Sequence, residues 1–260
     1  MANWKQATLG RTGLAVGRLG LAAGYGADAR SVEMAFERGV NYFYWGSIRR
    51  KSFGEGLRNL APARDRFLVV LQSYSRLAWL LSNGVERGLR KLRMDYADVL
   101  LLGMWNKPVS PAILERARGL RERGLVRRLA VSTHNRMGGA AFAAGADFDV
   151  VHVRYNALHP GAERDFFPAL PPLDQRAGVV SFTATSWRQL MGRRKLPPGE
   201  RVPTAGDCYR FVLSNPGVDV CMTGPSNAVQ FQEALEGWER GPMDADEMAW
   251  MRRVGAAKAG

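Results

Sequence analysis

The chain has 260 residues, of which 46% are hydrophobic and 23% charged, a composition typical of a globular protein with a sizeable core. No apolar run approaches the roughly 18 residues of a membrane helix. Two cysteines, Cys208 and Cys221, suit neither a disulfide framework nor a paired-thiolate zinc site. The formal net charge of +13 would attract anionic partners.

Eight short apolar segments with strand character alternate with segments of helical spacing. The apolar segments mostly lack polar alternation, which is typical of parallel strands buried on both faces. Regular alternation of strand and helix over this length favours a barrel or a doubly wound sheet. The predicted strands cover residues 18–22, 41–44, 67–71, 99–102, 128–132, 150–154, 178–183 and 218–222, and the predicted helices cover 31–38, 52–59, 77–92, 111–123, 136–144, 165–176, 205–214 and 227–235.

Two further segments flank these eight pairs. Residues 8–14 predict a hairpin turn before the first strand, placed to plug the floor of a barrel. Residues 244–256 predict one more helix, with Asp244 as N-cap and Glu247 in position for a capping box. The sequence contains no linker, repeat or low-complexity tract, so we expect one domain over residues 1–260.

The positions of the charged residues and histidines indicate which kinds of partner the sequence predicts. Basic residues are dispersed over helical segments without interleaved aromatics, which favours solvated helix faces and argues against nucleic acid as the partner. The three histidines lack the spacing of a metal pair, so no metal site is predicted. The sequence starts Met1-Ala2-Asn3-Trp4-Lys5 without the regions of a secretory signal, and we expect a cytoplasmic protein with no membrane partner.

Several motifs, in order from about residue 8 to about residue 237, resemble those of the aldo-keto reductase family. The resemblance implies a (β/α)8 TIM barrel with an N-terminal β-hairpin and a C-terminal extra helix. It also implies reduction of carbonyl groups with NADPH. The motifs are Leu9-Gly10-Arg11-Thr12-Gly13-Leu14, Gly39-Val40-Asn41-Tyr42-Phe43, Phe53-Gly54-Glu55-Gly56-Leu57, Asp95-Tyr96-Ala97-Asp98-Val99, Tyr155-Asn156 and Thr223-Gly224-Pro225-Ser226-Asn227.

The catalytic tetrad implied by this resemblance is replaced at every position. Tyr44 stands where the family has Asp, Arg49 where it has the proton-donating Tyr, Gln72 where it has Lys, and Gly103 where it has His. A tyrosine with a pKa near 10 needs cationic or imidazole assistance to donate a proton at neutral pH. Neither Gln72 nor Gly103 supplies that assistance, and a permanently protonated Arg49 is a poor acid.

The cofactor positions implied by the resemblance are partly retained. The residues matched to cofactor binding are Ser132, His152, Thr185, Gly224, Ser226 and Glu233. Thr133 follows Ser132 where the family has Asn, His152 replaces Gln, and Ala184 stands where an aromatic stacks on the nicotinamide. Free N–H groups at the start of the eighth helix still favour an anion. NADP is therefore the implied cofactor, with its binding weakened or lost.

These replacements lead to a primary hypothesis and one alternative. The primary hypothesis is a degenerate family member that acts by binding a small-molecule ligand or a protein partner. The alternative is an active NAD(P)H-dependent oxidoreductase with a rearranged site, since hydride delivery depends mainly on positioning. Trp45, Trp105 and Trp187 are expected in loops beyond strand ends, where they either cap the barrel mouth or line an aromatic pocket.

Overall fold

Eight parallel strands close into a barrel in the computed structural model, which describes residues 4–46 and 50–260. A two-stranded antiparallel hairpin, β1 (Gln6–Thr8) and β2 (Ala15–Gly17), precedes it. The first barrel strand pairs with the last, which closes the sheet. The barrel strands are β3 (Leu19–Ala22), β4 (Tyr42–Trp45), β5 (Leu68–Ser73), β6 (Ala97–Leu102), β7 (Val126–Thr133), β8 (Val150–Arg154), β9 (Gly178–Phe182) and β10 (Val220–Thr223).

Nine helices of the described chain surround or extend the barrel. They begin at side-chain caps in several cases, and the capping box of Asp244 and Glu247 is confirmed at the last helix. The helices are α1 (Ala29–Glu37), α2 (Lys51–Asn59), α3 (Ala78–Leu92), α4 (Pro111–Glu122), α5 (Arg136–Ala144), α6 (Ala162–Asp165), α7 (Ala205–Leu213), α8 (Ala228–Glu239) and α9 (Ala245–Ala259).

The apolar core has two layers because the barrel strands are buried on both faces. Outward-facing residues pack against the helices, and inward-facing residues such as Val70, Leu101 and Val180 fill the barrel interior. Leu9 and Val16, from the hairpin, join the interior layer and are buried. The predicted hairpin plug at the floor is therefore confirmed.

Two carboxylates accept backbone N–H groups of neighbouring strands near the amino ends of the strands, which we call the lower end of the barrel. Asp98 accepts the N–H of Val69, and Asp219 accepts the N–H of Val179, each at 2.8 Å. Asp219 also receives two bonds of 2.8 Å from the Arg176 guanidinium, and both side chains are buried. A carboxylate that is paired with an arginine and also accepts a backbone N–H satisfies buried polar groups at this end of the barrel.

Two predictions of structure are wrong. The sixth helix is not at residues 165–176 but at Ala162–Asp165, followed by a 3₁₀ helix at Phe167–Ala169, because Pro168, Pro171 and Pro172 interrupt helical hydrogen bonding. Trp45 does not lie in a loop. It belongs to β4, is buried against the outer helices, and its indole N–H donates to the Arg50 carbonyl at 3.1 Å.

No helix among residues 4–46 and 50–260 is long and apolar enough to cross a bilayer. The basic residues of α3, α4 and the turns after them are exposed, as predicted for solvated helix faces. They are Arg87, Arg90, Lys91, Arg93, Arg116, Arg118, Arg121 and Arg123.

Candidate ligand site at the barrel mouth

A cavity of about 530 Å³ opens at the carboxyl ends of the strands. This is the end of a (β/α)8 barrel where loops vary and sites are built. Tyr44 and Gln72 line the cavity, as do all six residues that the sequence matched to cofactor binding: Ser132, His152, Thr185, Gly224, Ser226 and Glu233. Arg49, the remaining replaced tetrad position with a side chain, lies outside the described residues.

Tyr44 and Gln72 are directly hydrogen bonded. The Tyr44 hydroxyl donates to Oε1 of Gln72, joining the carboxyl ends of β4 and β5. Burial, reinforced by the nearby hydroxyls of Tyr74 and Tyr25, raises the pKa of Tyr44 well above its usual range. The Tyr44 hydroxyl thus keeps its proton, which it donates in a hydrogen bond to a neutral carboxamide, and it is a weaker acid than a free phenol.

The side chain of Tyr74 occupies the space beside Gly103. A Cβ atom built on Gly103 would lie 2.6 Å from Cδ1 of Tyr74 and 2.8 Å from Nε2 of Gln72. Neither distance is tolerated by real side chains, so a larger residue at position 103 would have to displace the Tyr74 ring or the Gln72 carboxamide. The absence of a side chain at Gly103 is therefore part of the packing of this wall.

His152 is held by a tyrosine from across the barrel. Its Nε2 lies 2.9 Å from the hydroxyl of Tyr42, which projects from β4 on the opposite side. Tyr42 is buried, and Nε2 is the acceptor that the structure offers its hydroxyl, so the proton of the neutral imidazole is assigned to Nδ1. Burial lowers the pKa of His152 to about 3, which keeps the ring uncharged at neutral pH.

The loop after β6 is fixed by an arginine from the loop after β5. Arg76 stacks on the ring of Trp105, 3.9 Å from its centroid, and donates to the carbonyls of Gly103 and Met104 at 3.1 and 2.7 Å. The N–H of Met104 in turn donates to Oγ of Ser132 at 2.9 Å. These bonds hold Met104 in the cavity wall with a left-handed backbone, φ 57°.

The loop after β9 is conformationally unusual. Three consecutive non-glycine residues, Ser186, Trp187 and Arg188, have φ values of 48°, 51° and 71°. Such conformations carry a backbone cost and persist where the surroundings enforce them, often at binding sites. This turn presents Trp187, 52% exposed, and Arg188 to the cavity rim. The Ser186 hydroxyl is buried beneath them with no hydrogen-bond partner in the described structure.

The amino end of α8, which follows β10, forms the neighbouring part of the rim. Asn227 caps the helix by accepting the N–H of Gln230, and Oε1 of Gln230 accepts the N–H of Ser226, both at 2.9 Å. Tyr25 packs against Gly224, since a Cβ atom there would lie 2.4 Å from its Cδ2. Glu233 reaches the cavity from the next turn of α8 and is exposed.

The inner lining carries little charge. Arg188 and Glu233 are the charged residues of the described lining, and both are exposed at the rim. The described lining contains no lysine and no aspartate. Within residues 4–46 and 50–260, no group of three or more His, Cys, Asp or Glu side chains is arranged to hold a metal ion.

Tyr25, Tyr74 and Met104 are among the lining residues that sequence reasoning missed. Each lies one to three residues beyond a barrel strand. That position was the available signal, because residues just past the carboxyl ends of barrel strands face the mouth. Of the three tryptophans expected there, Trp187 lines the cavity. Trp105 lies outside the cavity lining and stacks on Arg76.

Comparison with solved structures identifies this architecture. An aldo-keto reductase from Bacillus halodurans superposes with a TM-score of 0.79 in its holo form and 0.77 in its apo form, at 20% and 21% sequence identity. In both comparisons the match covers 98% of this chain and 97% of the other. The chain therefore has the fold of the aldo-keto reductases, and the resemblance seen in the sequence is confirmed at the level of the fold.

Sequence comparisons reach less of the chain. An L-galactose dehydrogenase from Arabidopsis thaliana is 28% identical over a segment covering 35% of this chain. The match spans about a third, 35%, of that protein's length. No model of a known protein family matches the chain.

Proposed function

We propose that this protein is a degenerate member of the aldo-keto reductase family, which binds a small-molecule ligand at the barrel mouth and does not reduce carbonyl compounds through the family's proton relay. The observation that carries the proposal is the bond from Tyr44 to Gln72. At these two positions the family has an aspartate and a lysine, whose charges assist the proton donor. A neutral hydrogen-bonded pair provides no such assistance.

Other features of the cavity support the same proposal. Tyr44 is the hydroxyl best placed to act as a substitute acid, but burial raises its pKa and its proton is directed at Gln72. His152 is neutral and bound to Tyr42, so it supplies no positive charge to a neighbouring group. The volume of about 530 Å³ and the mixture of aromatic walls with a few polar groups are typical of small-molecule sites.

The family's cofactor, NADP, fits the amino end of α8 poorly. A phosphate at a helix N-terminus is bound by free N–H groups. Here two of the N–H groups at this end, those of Ser226 and Gln230, are already satisfied by the side chains of Gln230 and Asn227. Residues 223–239 contain three glutamates and neither lysine nor arginine. We therefore propose that NADP binding is weakened, and derive no chemical step through the nucleotide.

The proposal is tested by NADPH oxidation with purified protein over a panel of aldehydes, ketones and quinones. We expect no substrate-dependent oxidation above the protein-free rate. A calorimetric titration of the protein with NADP should show no saturation below about 1 mM. Saturable turnover would refute the proposal, and its loss in Tyr44→Phe would further show that the displaced hydroxyl acts as the acid.

A further inference from the structure

At the cavity, each of three tyrosine rings packs closely against a glycine residue. A Cβ atom at any of these glycines would approach the ring closer than real side chains do, so the missing side chains create the space in which the rings lie. The pairs and the distances from the built Cβ to the nearest ring atom are Tyr25 on Gly224 at 2.4 Å, Tyr44 on Gly46 at 2.4 Å and Tyr74 on Gly103 at 2.6 Å.

Three aromatic rings at the opening of the cavity are exposed and accessible to a ligand. Tyr25 is 54% exposed, Tyr74 49% and Trp187 52%, and all three line the cavity. Large aromatic side chains left this exposed around one opening mark a binding surface more often than scattered apolar residues do. Their flat faces offer apolar and π contact to a flat ring.

The floor beneath these rings, as far as the described residues form it, is uncharged but polar. The carboxamide of Gln72 uses its oxygen to accept from Tyr44, while its nitrogen donates to no acceptor among the described residues. The Tyr44 oxygen keeps its acceptor capacity. Together the two side chains offer the N–H donors of one carboxamide and one acceptor oxygen to a ligand, at the two positions matched to charged residues of the family.

We propose that the mouth of this barrel binds an uncharged flat ring compound bearing a carbonyl or hydroxyl oxygen, with the ring between Tyr25, Tyr74 and Trp187 and the oxygen at Gln72. This inference rests on the proposed function, because it assumes that the mouth is a ligand site. Uncharged ligands are favoured because a buried anion or cation would lose hydration without meeting an opposite charge among the described residues of the floor. Arg188 and Glu233, at the rim, remain in solvent.

The charge preference is tested with three probes of similar shape: 2-naphthol, which is neutral, 2-naphthoate, an anion, and N-methylquinolinium, a cation. Each is titrated into the full-length protein by calorimetry at pH 7 without nucleotide. We expect 2-naphthol to bind at least about tenfold more tightly than either charged probe, a difference that one uncompensated charge readily produces. Equal or tighter binding of a charged probe, or no binding of 2-naphthol at millimolar concentration, would overturn the inference.

Variants test the placement of the ring. Gly103→Ala should displace Tyr74 and weaken 2-naphthol binding about tenfold. Gly119→Ala is the matched control, because Gly119 lies in α4 and a Cβ there meets no atom within 4 Å. Trp187→Ala, at an exposed position, carries the same test should Gly103→Ala not fold. Unchanged affinity in both Gly103→Ala and Trp187→Ala would remove the aromatic walls from the site.

The two proposals fail in different ways. Turnover with NADPH would remove the proposed function while leaving the measured affinities intact. Equal affinities for the three probes would overturn the ring-compound inference. They would leave the proposed absence of turnover unaffected.

Discussion

The hydroxyl of Tyr44 donates to the carboxamide oxygen of Gln72, and this bond joins the carboxyl ends of two neighbouring barrel strands. Under the proposed function, both partners stand where the aldo-keto reductase family has charged residues. Here a neutral donor meets a neutral acceptor, and neither is left as an unpaired charge. The bond thus connects β4 and β5 in the wall of the cavity without any charge.

Removal of the Tyr44 hydroxyl should cost little stability. Tyr44→Phe breaks one neutral hydrogen bond beside a cavity that water can enter, so we expect the free energy of unfolding to fall by about 1 kcal/mol. Tyr25→Phe is the control, since it removes an exposed hydroxyl from the same cavity and should change stability by less than about 0.5 kcal/mol. Urea denaturation measures both, and equal losses would contradict the assigned bond.

Restoring the family's charges one at a time should reveal coupling between positions 44 and 72. Gln72→Lys places an ammonium group on a residue that is 5% exposed, without a carboxylate, and should destabilise the fold by about 3 kcal/mol. Adding Tyr44→Asp should recover about 1–3 kcal/mol as a coupling energy. Additive losses in this double-mutant cycle would show that the two side chains do not interact.

The double variant should remain inactive toward carbonyl compounds with NADPH. Its Gly103 still lacks an imidazole, and the neighbouring space is filled by the Tyr74 ring. Reductase activity from these two changes alone would show that the mouth retains more of the relay than its geometry indicates.

The pH dependence of stability should contain a contribution from His152. The folded protein keeps this ring neutral down to a pKa of about 3, whereas the unfolded chain binds the proton near pH 6.5. Between these values the unfolded state holds more protons, so stability falls as the pH falls, by up to about 1.4 kcal/mol per pH unit.

Chemical denaturation of the wild type and His152→Gln between pH 7 and pH 4 measures this contribution. The variant should have the shallower slope. His159→Gln is the control, because that imidazole is only partly buried and should alter the slope less. Identical slopes for wild type and His152→Gln would contradict the neutral buried imidazole.

The lower end of the barrel depends on a buried ion pair. Asp219→Ala leaves the Arg176 guanidinium and the Val179 N–H without their acceptor and should cost about 3–5 kcal/mol. Asp147→Ala breaks the exposed pair with Arg118 and should cost less than about 1 kcal/mol. Thermal and urea unfolding distinguish the two, and similar losses would contradict a structural role for the buried pair.

Local and repeated signals predicted alternating strands and helices but left a barrel and a doubly wound sheet open, and the resemblance to a known family implied the barrel. Non-alternating apolar strands, the alternation with helices, the hairpin turn before β3 and the capping box at Asp244 each depend on residues close together in the chain. All four are confirmed. The sixth helix was predicted wrongly because helical spacing was weighed above the prolines at 168, 171 and 172.

The site was only partly predictable, because its features depend on contacts between distant residues. The family motifs pointed to Tyr44 and Gln72, and these two side chains do meet at the cavity. The seating of Tyr74 on Gly103, the bond from Tyr42 to His152 across the barrel and the left-handed turn at residues 186–188 have no local sequence signature. Trp45 was misplaced because burial on the outer face of a strand cannot be distinguished from a loop position by residue type alone.

The most direct test of the central claim is a measurement sensitive to single turnovers. Protein at a concentration comparable to that of the substrate is incubated for hours with deuterated NADPH and a mixture of carbonyl compounds, and deuterium in the alcohol products is quantified by mass spectrometry. Our account predicts no more labelled alcohol than in the protein-free sample. Labelled alcohol at or above one equivalent of protein would contradict it, whether or not Tyr44→Phe abolishes the product.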